Sequence, residues 1–419
     1  MKTIYRSFLL TIILVSFTNA QNPEWINYDT SNSGLSYNSI RSIVIDDLNN
    51  KWIGTSAGGL NMFDGTNWII YDESNSGLPD NRIQSLTIDD SGIKWICTRS
   101  GLAMFDDKNW AIYDTSNSEI LCNYILTIAI DDSGNKWLGT FAESYLSGLI
   151  KFDGMSWSNY PLGTINTIAI DDSGNKWIGA SSFGLVKFDG IDWTVYDTSN
   201  SGLPYNGIQK IIIDEQNNKW IGTNKGGLAK FDGTNWVVYN TDNSPIPDHY
   251  VRTIAIDNYG NKWIGTKGGL VKFDGTCWAI FNTDNSGLPD NYIYSIAIDK
   301  DNNKWIGTSE GLSVFNEGGI VSVKEKYTHS LPNEFFLSQN YPNPFNPSTT
   351  IRYSIPELSN VSIKVYDVLG REVATLVDEE KPAGNYQVQF NAENLKSGIY
   401  FYTLKAREFS QTKKLTLLK

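Results

Sequence analysis

The chain has 419 residues, of which 40% are apolar and 19% charged, and its formal net charge is −12. This composition indicates a globular protein with room for one large domain and a smaller one, and it excludes a disordered, collagen-like or membrane-integral chain. The acidic balance leaves no basic surface for nucleic acid. Two histidines and three cysteines are too few for most metal or nucleophilic sites, so we expect no metal and no cofactor.

Residues 1–20 have the pattern of a secretory signal peptide. Lys2 and Arg6 precede an apolar run, 8–17, and small residues follow where a signal peptidase cleaves. An apolar run of this length falls short of the roughly 20 residues that cross a bilayer. We therefore predict an exported chain that begins at Gln21 after cleavage and has no membrane span.

Seven copies of one unit follow the signal peptide. Each contains Lys-Trp-Ile-Gly-Thr or a close variant, and its tryptophans recur every 40 to 43 residues: Trp52, Trp95, Trp137, Trp177, Trp220, Trp263 and Trp305. A second series interleaves with the first: Trp25, Trp68, Trp110, Trp157, Trp193, Trp236 and Trp278. This period is typical of four-stranded propeller blades. We predict an all-β chain with a seven-bladed β-propeller over residues 21–315.

The first unit shows the four strands that we predict for each blade. An inner strand covers 38–46, a second strand 51–55, a third 60–64 and an outer strand 68–71, with polar or glycine turns between them. A polar loop, 72–80, then leads to the next inner strand.

The seventh unit lacks an outer strand, and a spare one stands at the other end of the repeats. The last unit stops after 311–315, whereas 25–28 (Trp-Ile-Asn-Tyr) has the outer-strand pattern. We predict that this N-terminal strand completes the last blade, because such closure removes a free sheet edge.

The repeats resemble the two-component regulator propeller family. Its pattern runs Gly-Leu-Pro-x-Asn, an inner strand ending in Asp, Gly-Asn-x-Trp-Ile-Gly-Thr and Gly-Gly-Leu; residues 201–233 match it almost throughout, and the resemblance covers 25–315. Propellers of that family are often extracytoplasmic sensors of membrane histidine kinases. Since this chain has neither kinase sequence nor membrane helix, the resemblance implies a free-standing binding propeller.

The composition changes after residue 316. No tryptophan follows, six of the 13 prolines do, and residues 331–419 carry ten Lys/Arg against nine Asp/Glu. We predict a linker at 316–330 and a second domain at 331–419, with strands at 361–367, 372–377, 384–390, 398–405 and 413–418.

This second domain resembles the type A C-terminal sorting domain of the bacterial type IX secretion system. The residues that carry the resemblance are Tyr341, Pro342, Asn343, Pro344, Phe345, Asn346, Pro347, Gly370, Arg371, Lys413, Lys414 and Lys419. It implies a small C-terminal β-sandwich that binds the type IX secretion machinery and is commonly cleaved, so that the propeller reaches the cell surface or the medium through the periplasm. An ordinary adhesive β-sandwich is the alternative.

Repeated acidic residues offer a first candidate for chemistry. Each inner strand ends in an aspartate (Asp46, Asp89, Asp131, Asp171, Asp214, Asp257 and Asp299), and a lysine precedes each tryptophan of the first series. Paired carboxylates are used by glycosidases and acidic loops by calcium sites. A catalytic pair needs two different environments, however, and sevenfold repetition favours structural turns.

Function is better sought where the symmetry breaks. A segment is inserted at 141–147, and the next interblade loop is shortened to 161–163. Both loops belong to the same face of a propeller, where they would form a lip beside a notch. We predict a ligand site there, built from Arg82, Arg99, Tyr124, Phe141, Tyr145, His249, Tyr250 and Tyr292. Aromatic rings with polar neighbours suit a sugar or a peptide, whereas ordinary loop variation is the alternative.

Three functions are compatible with these features. The first is an exported propeller that binds a glycan or a protein at the cell surface or outside the cell. The second is a secreted polysaccharide lyase or hydrolase, for which only His249, Tyr250, Tyr292 and Arg82 offer converging groups. The third is a structural surface protein without a small ligand.

Overall fold

The structure is a computed structural model that describes residues 24–141, 148–317, 335–338, 340, 343, 345–382, 384–407 and 409–418. Those residues form 35 β-strands and no helix, so nothing in this part of the chain could cross a membrane as a helix. The chain divides into two compact units, Met1–Ser322 and Val323–Lys419. The signal peptide and most of the linker at 316–330 lie outside the described residues, so their bounds stay predictions.

The first unit consists of seven four-stranded antiparallel sheets, the blades of a propeller. The inner strands are β2 (Ile40–Ile45), β6 (Ile83–Ile88), β10 (Ile125–Ile130), β14 (Ile165–Ile170), β18 (Ile208–Ile213), β22 (Val251–Ile256) and β26 (Ile293–Ile298). The second strands are β3 (Lys51–Thr55), β7 (Lys94–Thr98), β11 (Lys136–Thr140), β15 (Lys176–Ala180), β19 (Lys219–Thr223), β23 (Lys262–Thr266) and β27 (Lys304–Thr308).

The two remaining strands of each blade are short. The third strands are β4 (Leu60–Phe63), β8 (Leu102–Phe105), β12 (Leu149–Phe152), β16 (Leu185–Phe188), β20 (Leu228–Phe231), β24 (Leu270–Phe273) and β28 (Leu312–Phe315). The outer strands are β5 (Trp68–Tyr71), β9 (Trp110–Tyr113), β13 (Trp157–Tyr160), β17 (Trp193–Tyr196), β21 (Trp236–Tyr239), β25 (Trp278–Phe281) and β1 (Trp25–Tyr28). Blades are numbered 1 to 7 from β2 onward.

The N-terminal strand closes the ring as predicted. Strand β1 pairs antiparallel with β28, with Trp25 opposite Phe315 and Tyr28 opposite Leu312, and the last sheet has the order β1-β28-β27-β26. The inner strands of neighbouring blades pack against one another around the whole ring, including β26 against β2. The predicted seven-bladed propeller is therefore confirmed, and its closure is noncovalent.

Apolar wedges between blades form the core. Trp52 of blade 1, for example, packs with Ile83 and Phe105 of blade 2. The glycine two residues after it permits this approach, because a Cβ on Gly54 would lie 2.5 Å from Cγ2 of Ile83. The sequence Trp-Ile-Gly-Thr thus supplies both the large ring and the close contact that the ring needs.

The aspartate at the end of each inner strand binds the tryptophan of its own blade. Its carboxylate accepts the indole N–H at 2.8–3.0 Å in all seven blades. The lysine of the next blade lies over the same indole ring, 4.6–5.0 Å from its centroid, and Lys51 over Trp305 completes the circle. These aspartates are turn residues, as expected, and four of them also lie 3.6–3.9 Å from the lysine of the next blade, so they help to join the blades.

The second unit is a β-sandwich, as predicted. Its strands are β29 (Phe336–Leu337), β30 (Ser348–Ile355), β31 (Ser359–Tyr366), β32 (Glu372–Lys381), β33 (Gly384–Asn391), β34 (Gly398–Ala406) and β35 (Phe409–Leu417). One sheet has the order β29-β30-β33 and the other β32-β31-β34-β35. Side chains of both sheets, including Ile351, Tyr353, Ile363, Tyr402 and Leu415, share one buried core.

The two ends of the sorting motif meet in this sandwich. The backbone N–H of Phe345 donates to Thr416 O at 3.0 Å, and Asn343 Oδ1 accepts the Thr416 N–H at 2.8 Å. The Phe345 side chain is buried, and Pro347 O accepts the Ala392 N–H. The motif therefore fixes the last strand, β35, against the core.

The remaining motif residues lie at the surface or outside the described part. Gly370 forms the predicted turn with a φ of +77°, and the Arg371 guanidinium pairs with Asp367 at 2.6 Å. Lys413 and Lys414 lie in β35. The motif residues Tyr341, Pro342, Pro344 and Lys419 are outside the described residues.

The aspartate turns predict an acid limit to propeller stability. Burial acts to raise the pKa of Asp131, Asp171, Asp214 and Asp257, but hydrogen bonds from the indole and from asparagine hold each pKa below its usual value. A lowered folded-state pKa stabilises the fold above the unfolded value, about 3.9, and this contribution is lost as the pH falls through the folded value.

We expect the melting temperature of the propeller to change little from pH 7 to 5 and to fall below about pH 4. Calorimetry of the full chain across this range measures it. Asp171→Asn should retain an acceptor for the Trp177 indole yet weaken the acid dependence. An unchanged melting temperature at pH 3 would contradict this account.

The closure predicts that Trp25 contributes more to the stability of the propeller than an equivalent outer-strand tryptophan does. Trp25 stacks on Phe315 at 4.2 Å and tilts against Phe281 at 6.0 Å, and Trp110 stacks on Phe105 at 4.3 Å and tilts against Tyr71 at 5.9 Å. A short turn joins the strand of Trp110 to its partner, whereas β1 reaches its sheet from the other end of the propeller sequence.

We therefore expect Trp25→Ala to destabilise the propeller by about 3–5 kcal/mol, as other aromatic truncations do. Trp110→Ala is the matched control and should cost less, because its strand stays tethered. Chemical denaturation of both variants measures the difference, and equal losses would refute a special role for the closing strand.

Candidate functional site

The interblade loops and the loops between second and third strands lie on one face of the propeller, here called the loop face. Backbone hydrogen bonds join them: Phe141 N–H donates to Tyr124 O, Ser181 N–H to Thr164 O and Asn224 N–H to Gly207 O, each at 2.9 Å. The first residues of the inner strands and the strand two to three loops are therefore neighbours, as the blade topology predicts. All the candidate residues of the described part lie in these segments.

Three of the predicted residues form a stack at blades 2 and 3. The Arg99 guanidinium lies 5.0 Å from the centroid of the Tyr124 ring, and this ring stacks on Phe141 at 5.2 Å with an interplanar angle of 28°. Phe141 is 43% exposed. We call Arg99, Tyr124 and Phe141 the blade 3 stack. It combines an exposed ring, Phe141, with a second ring that carries a cation, an arrangement that suits a sugar or an aromatic side chain.

Arg82 lies near this stack but is already paired. Its guanidinium donates to both carboxylate oxygens of Asp80 at 2.8–3.2 Å, and Ser100 donates to the same group at 3.1 Å. Burial acts to raise the Asp80 pKa, and the Arg82 hydrogen bonds hold it below its usual value. Arg82 therefore has a structural partner that a ligand carboxylate would have to share.

The predicted tyrosines of blades 6 and 7 form a separate group. Tyr250 and Tyr292 meet edge to face with centroids 6.1 Å apart. Lys267 Nζ lies 4.4 Å from the Tyr250 centroid and 5.5 Å from that of Tyr292. The structure thus divides the predicted residues into two groups on one face.

His249 holds a loop together. Its Nε2 shares a 2.7 Å hydrogen bond with Thr241 Oγ1, eight residues earlier. In five other blades an asparagine at this position accepts the backbone N–H eight residues earlier, as Asn206 does from Thr198 at 2.9 Å. The histidine therefore replaces a loop-bridging asparagine and does not join either aromatic group.

The structure describes the shortened loop 161–163, the predicted notch, but not residues 142–147 of the predicted lip. In the shortened loop Gly163 has a φ of +66°, and a Cβ there would lie 2.9 Å from the Phe183 ring, which is 57% exposed. The inserted residues 142–147, with the predicted Tyr145, lie outside the described residues. The site residues of the lip stay a prediction.

Sequence reasoning missed three polar side chains of inner strands β18 and β22. Tyr250 Oη donates to Gln209 Oε1 at 3.1 Å, and Arg252 donates to the same oxygen at 2.7 Å. Lys210 lies within electrostatic reach of Arg252. The signal that could have found them is a comparison of the seven inner strands position by position, in which Lys210 has no counterpart.

Two families match parts of the sequence. Residues 339–417 match the family described as the secretion system C-terminal sorting domain, and residues 287–310 match the two component regulator propeller. No curated protein matches the chain.

Solved structures share the fold at low sequence identity. The extracellular domain of a putative hybrid two component system of B. thetaiotaomicron, BT3049, is 18% identical with a TM-score of 0.61, over 94% of this chain and 57% of that one. PorZ, described as an essential surface component of the type-IX secretion system of Porphyromonas gingivalis, is 19% identical with a TM-score of 0.55, over 94% and 61%. Virginiamycin B lyase of Staphylococcus aureus is 11% identical with a TM-score of 0.57, over 69% and 97%.

These likenesses establish the propeller, and the chain spans only about 57–61% of the first two neighbours. The sorting domain indicates export to the cell surface or beyond, and it implies contact with the secretion machinery. The fold, the repeats and the tail thus agree with the resemblances drawn from the sequence. The chain combines a seven-bladed propeller, in which residues 287–310 match the two component regulator propeller family, with a domain that matches the secretion system C-terminal sorting domain.

Proposed function

We propose that the propeller is a binding module that recognises a glycan or a protein at the cell surface or outside the cell, and that type IX secretion delivers it there. The observation that carries the proposal is the blade 3 stack, in which an exposed ring, a second ring and a guanidinium are preassembled. Preassembled rings lose little conformational entropy on binding, and they stack on sugars or aromatic side chains.

A lyase or hydrolase would need a proton donor or acceptor converging with other groups. His249 Nε2 is engaged by Thr241 and its Nδ1 is buried, whereas the neighbouring Tyr250 hydroxyl donates to Gln209. These two adjacent residues bind different partners, so their polar atoms do not converge on one point. The geometry therefore favours binding over catalysis.

The first test is a binding screen followed by substitution. The full chain is applied to an array of neutral and acidic polysaccharides, and each hit is assayed for new reducing ends or unsaturated products, which only an enzyme would generate. Binding without such products is the expected result. New products from the purified protein would favour the lyase or hydrolase.

We predict that the double change Tyr124→Ala and Phe141→Ala weakens binding of a neutral polysaccharide hit by about 1–3 kcal/mol, as truncation of interface aromatics does. Calorimetric titration measures the loss. The matched control is Tyr259→Ala, because Tyr259 is 80% exposed in a turn on the opposite face. If the Tyr259 variant lost affinity and the double variant did not, the assignment to the loop face would be wrong.

We also predict that the tail governs delivery and leaves propeller stability unchanged. The ring closes between β1 and β28, and the sandwich has its own core. Removal of residues 331–419 should leave folded protein in the periplasm with the same propeller melting temperature. Cell fractionation and calorimetry test the two halves of this statement, and normal surface delivery of the shortened chain would disprove the first.

A further inference from the structure

The third residue of each inner strand is a small hydroxyl residue in six blades and a lysine in one. The six are Ser42, Ser85, Thr127, Thr167, Thr253 and Ser295, and blade 5 has Lys210. Two of the hydroxyls accept a backbone N–H from the next inner strand at 3.2 Å, Ser42 from Leu86 and Thr167 from Ile211. Lys210 therefore places a long cation where two of its counterparts bridge neighbouring inner strands.

Lys210 has no carboxylate partner. It is half-buried, and within the described part of the chain it forms no hydrogen bond or ion pair. Burial lowers its pKa, and the charge of Arg252 lowers it further. By contrast Lys219, on the next strand of the same blade, lies 3.9 Å from Asp171. A half-buried cation without a counter-charge costs stability, and an anionic ligand would supply the missing partner.

The residues beside Lys210 present further donors. Gln209 comes directly before Lys210 on β18, and Arg252 comes directly before Thr253, the equivalent of Lys210, on β22. The Arg252 guanidinium donates to Gln209 Oε1 at 2.7 Å. A neutral amide satisfies one N–H and leaves the charge of Arg252 uncompensated. The guanidinium keeps further N–H groups, which suit a carboxylate in a bidentate geometry.

A tyrosine group continues this surface toward blades 7 and 1. Tyr292 lies 4.4 Å from Tyr294, and the Arg41 guanidinium lies 4.4 Å from the Tyr294 centroid. Burial and the neighbouring Tyr250 raise the pKa of Tyr292, so its hydroxyl stays protonated and able to donate. Contacts thus run without a break from Gln209 through Tyr250, Tyr292 and Tyr294 to Arg41.

The inner-strand positions that carry these cations have no acidic residue in any blade. None of the second or third residues of the seven inner strands is Asp or Glu. In the loops that lead to β22 and β26, Asp248 accepts the Tyr250 N–H at 2.6 Å and Asp290 accepts the Ser309 hydroxyl. Residues 21–330 carry 22 Lys/Arg against 37 Asp/Glu, so Lys210, Arg252 and Arg41 lie within a strongly acidic propeller. General attraction of anions to the protein surface therefore cannot explain binding here.

We propose that the inner-strand surface at Lys210 and Arg252, which the tyrosines extend to Arg41, binds the carboxylate of an acidic sugar. The cations bind the charged group, and the tyrosines offer rings and hydroxyls to the pyranose. An acidic sugar fits better than an acidic peptide because Tyr294 lies against Arg41 and Tyr250 shares Gln209 with Arg252. This site goes beyond the proposed function: it uses different residues from the blade 3 stack, and either site can fail without the other.

The test uses the full chain and tetragalacturonate as the probe. Its methyl ester has the same sugar skeleton without charge, and a hexa-aspartate peptide has charge without sugar. The key variant is Lys210→Thr, which restores the residue of blades 3, 4 and 6. The matched control is Lys225→Thr, which removes an equal charge from a strand two to three loop of the same blade, where Lys225 lies 5.7 Å from the Tyr205 centroid.

We expect tetragalacturonate to bind, the methyl ester not to bind, and Lys210→Thr to weaken binding at least tenfold while Lys225→Thr leaves it unchanged. The Lys210→Thr protein should melt at the same or a higher temperature, because it loses an uncompensated cation. Equal binding by the Lys210→Thr variant, equal binding of the methyl ester, or no binding of tetragalacturonate would overturn the proposal. Lys210-dependent binding of hexa-aspartate alone would overturn the assignment to a sugar. Tyr124→Ala should leave tetragalacturonate binding intact, which separates this site from the blade 3 stack.

Discussion

The propeller depends on one repeated contact, in which an indole ring is held by a carboxylate of its own blade and covered by an ammonium group of the next. The carboxylate fixes the ring through its N–H, and the lysine adds a cation–π contact that crosses the blade boundary, worth about 0.5–2 kcal/mol each time. The rings are 0–4% exposed. Because Lys51 lies over Trp305, the contact also spans the junction where the ring closes. Apolar wedges supply the bulk of the stability, and this contact sets the register between blades.

This arrangement separates stability from recognition. The aspartate turns lie on one face, and the glycine of Trp-Ile-Gly-Thr lets the inner strands approach within the wedges. The interblade loops of the loop face are held by hydrogen bonds within each loop, as where Asn206 Oδ1 accepts the Thr198 N–H. Loop residues such as Phe141 can therefore vary from blade to blade without loss of the contacts that hold the ring. A face of this kind accumulates differences between blades, and those differences are the places to seek ligands.

Much of the fold could be predicted from the sequence because each blade repeats the same pattern of strand and turn residues. Strands 51–55 and 68–71 were predicted with their observed bounds, whereas the inner strand 38–46 proved to be 40–45. The two ends differ because the side chains of Asn38 and Asp46 bind the loop and the indole, so these residues belong to turns. The ring that each lysine covers could not be predicted, since it lies on the neighbouring blade, about 40 residues away in six pairs and at the other end of the propeller sequence for Lys51 and Trp305.

The candidate site was harder to predict, for a different physical reason. Arg82 pairs with an aspartate two residues earlier, and His249 replaces a bridging asparagine. Residue type alone predicts ligand contacts for both, although their observed contacts are structural. Comparison with the equivalent residue in six sister blades is more informative, because those blades show what the position requires for folding. The third inner-strand position is Thr or Ser in six blades, and two of these hydroxyls accept an N–H of the next inner strand. A lysine there brings a desolvated charge that the fold does not use, and a residue that costs the fold without serving it points to a ligand.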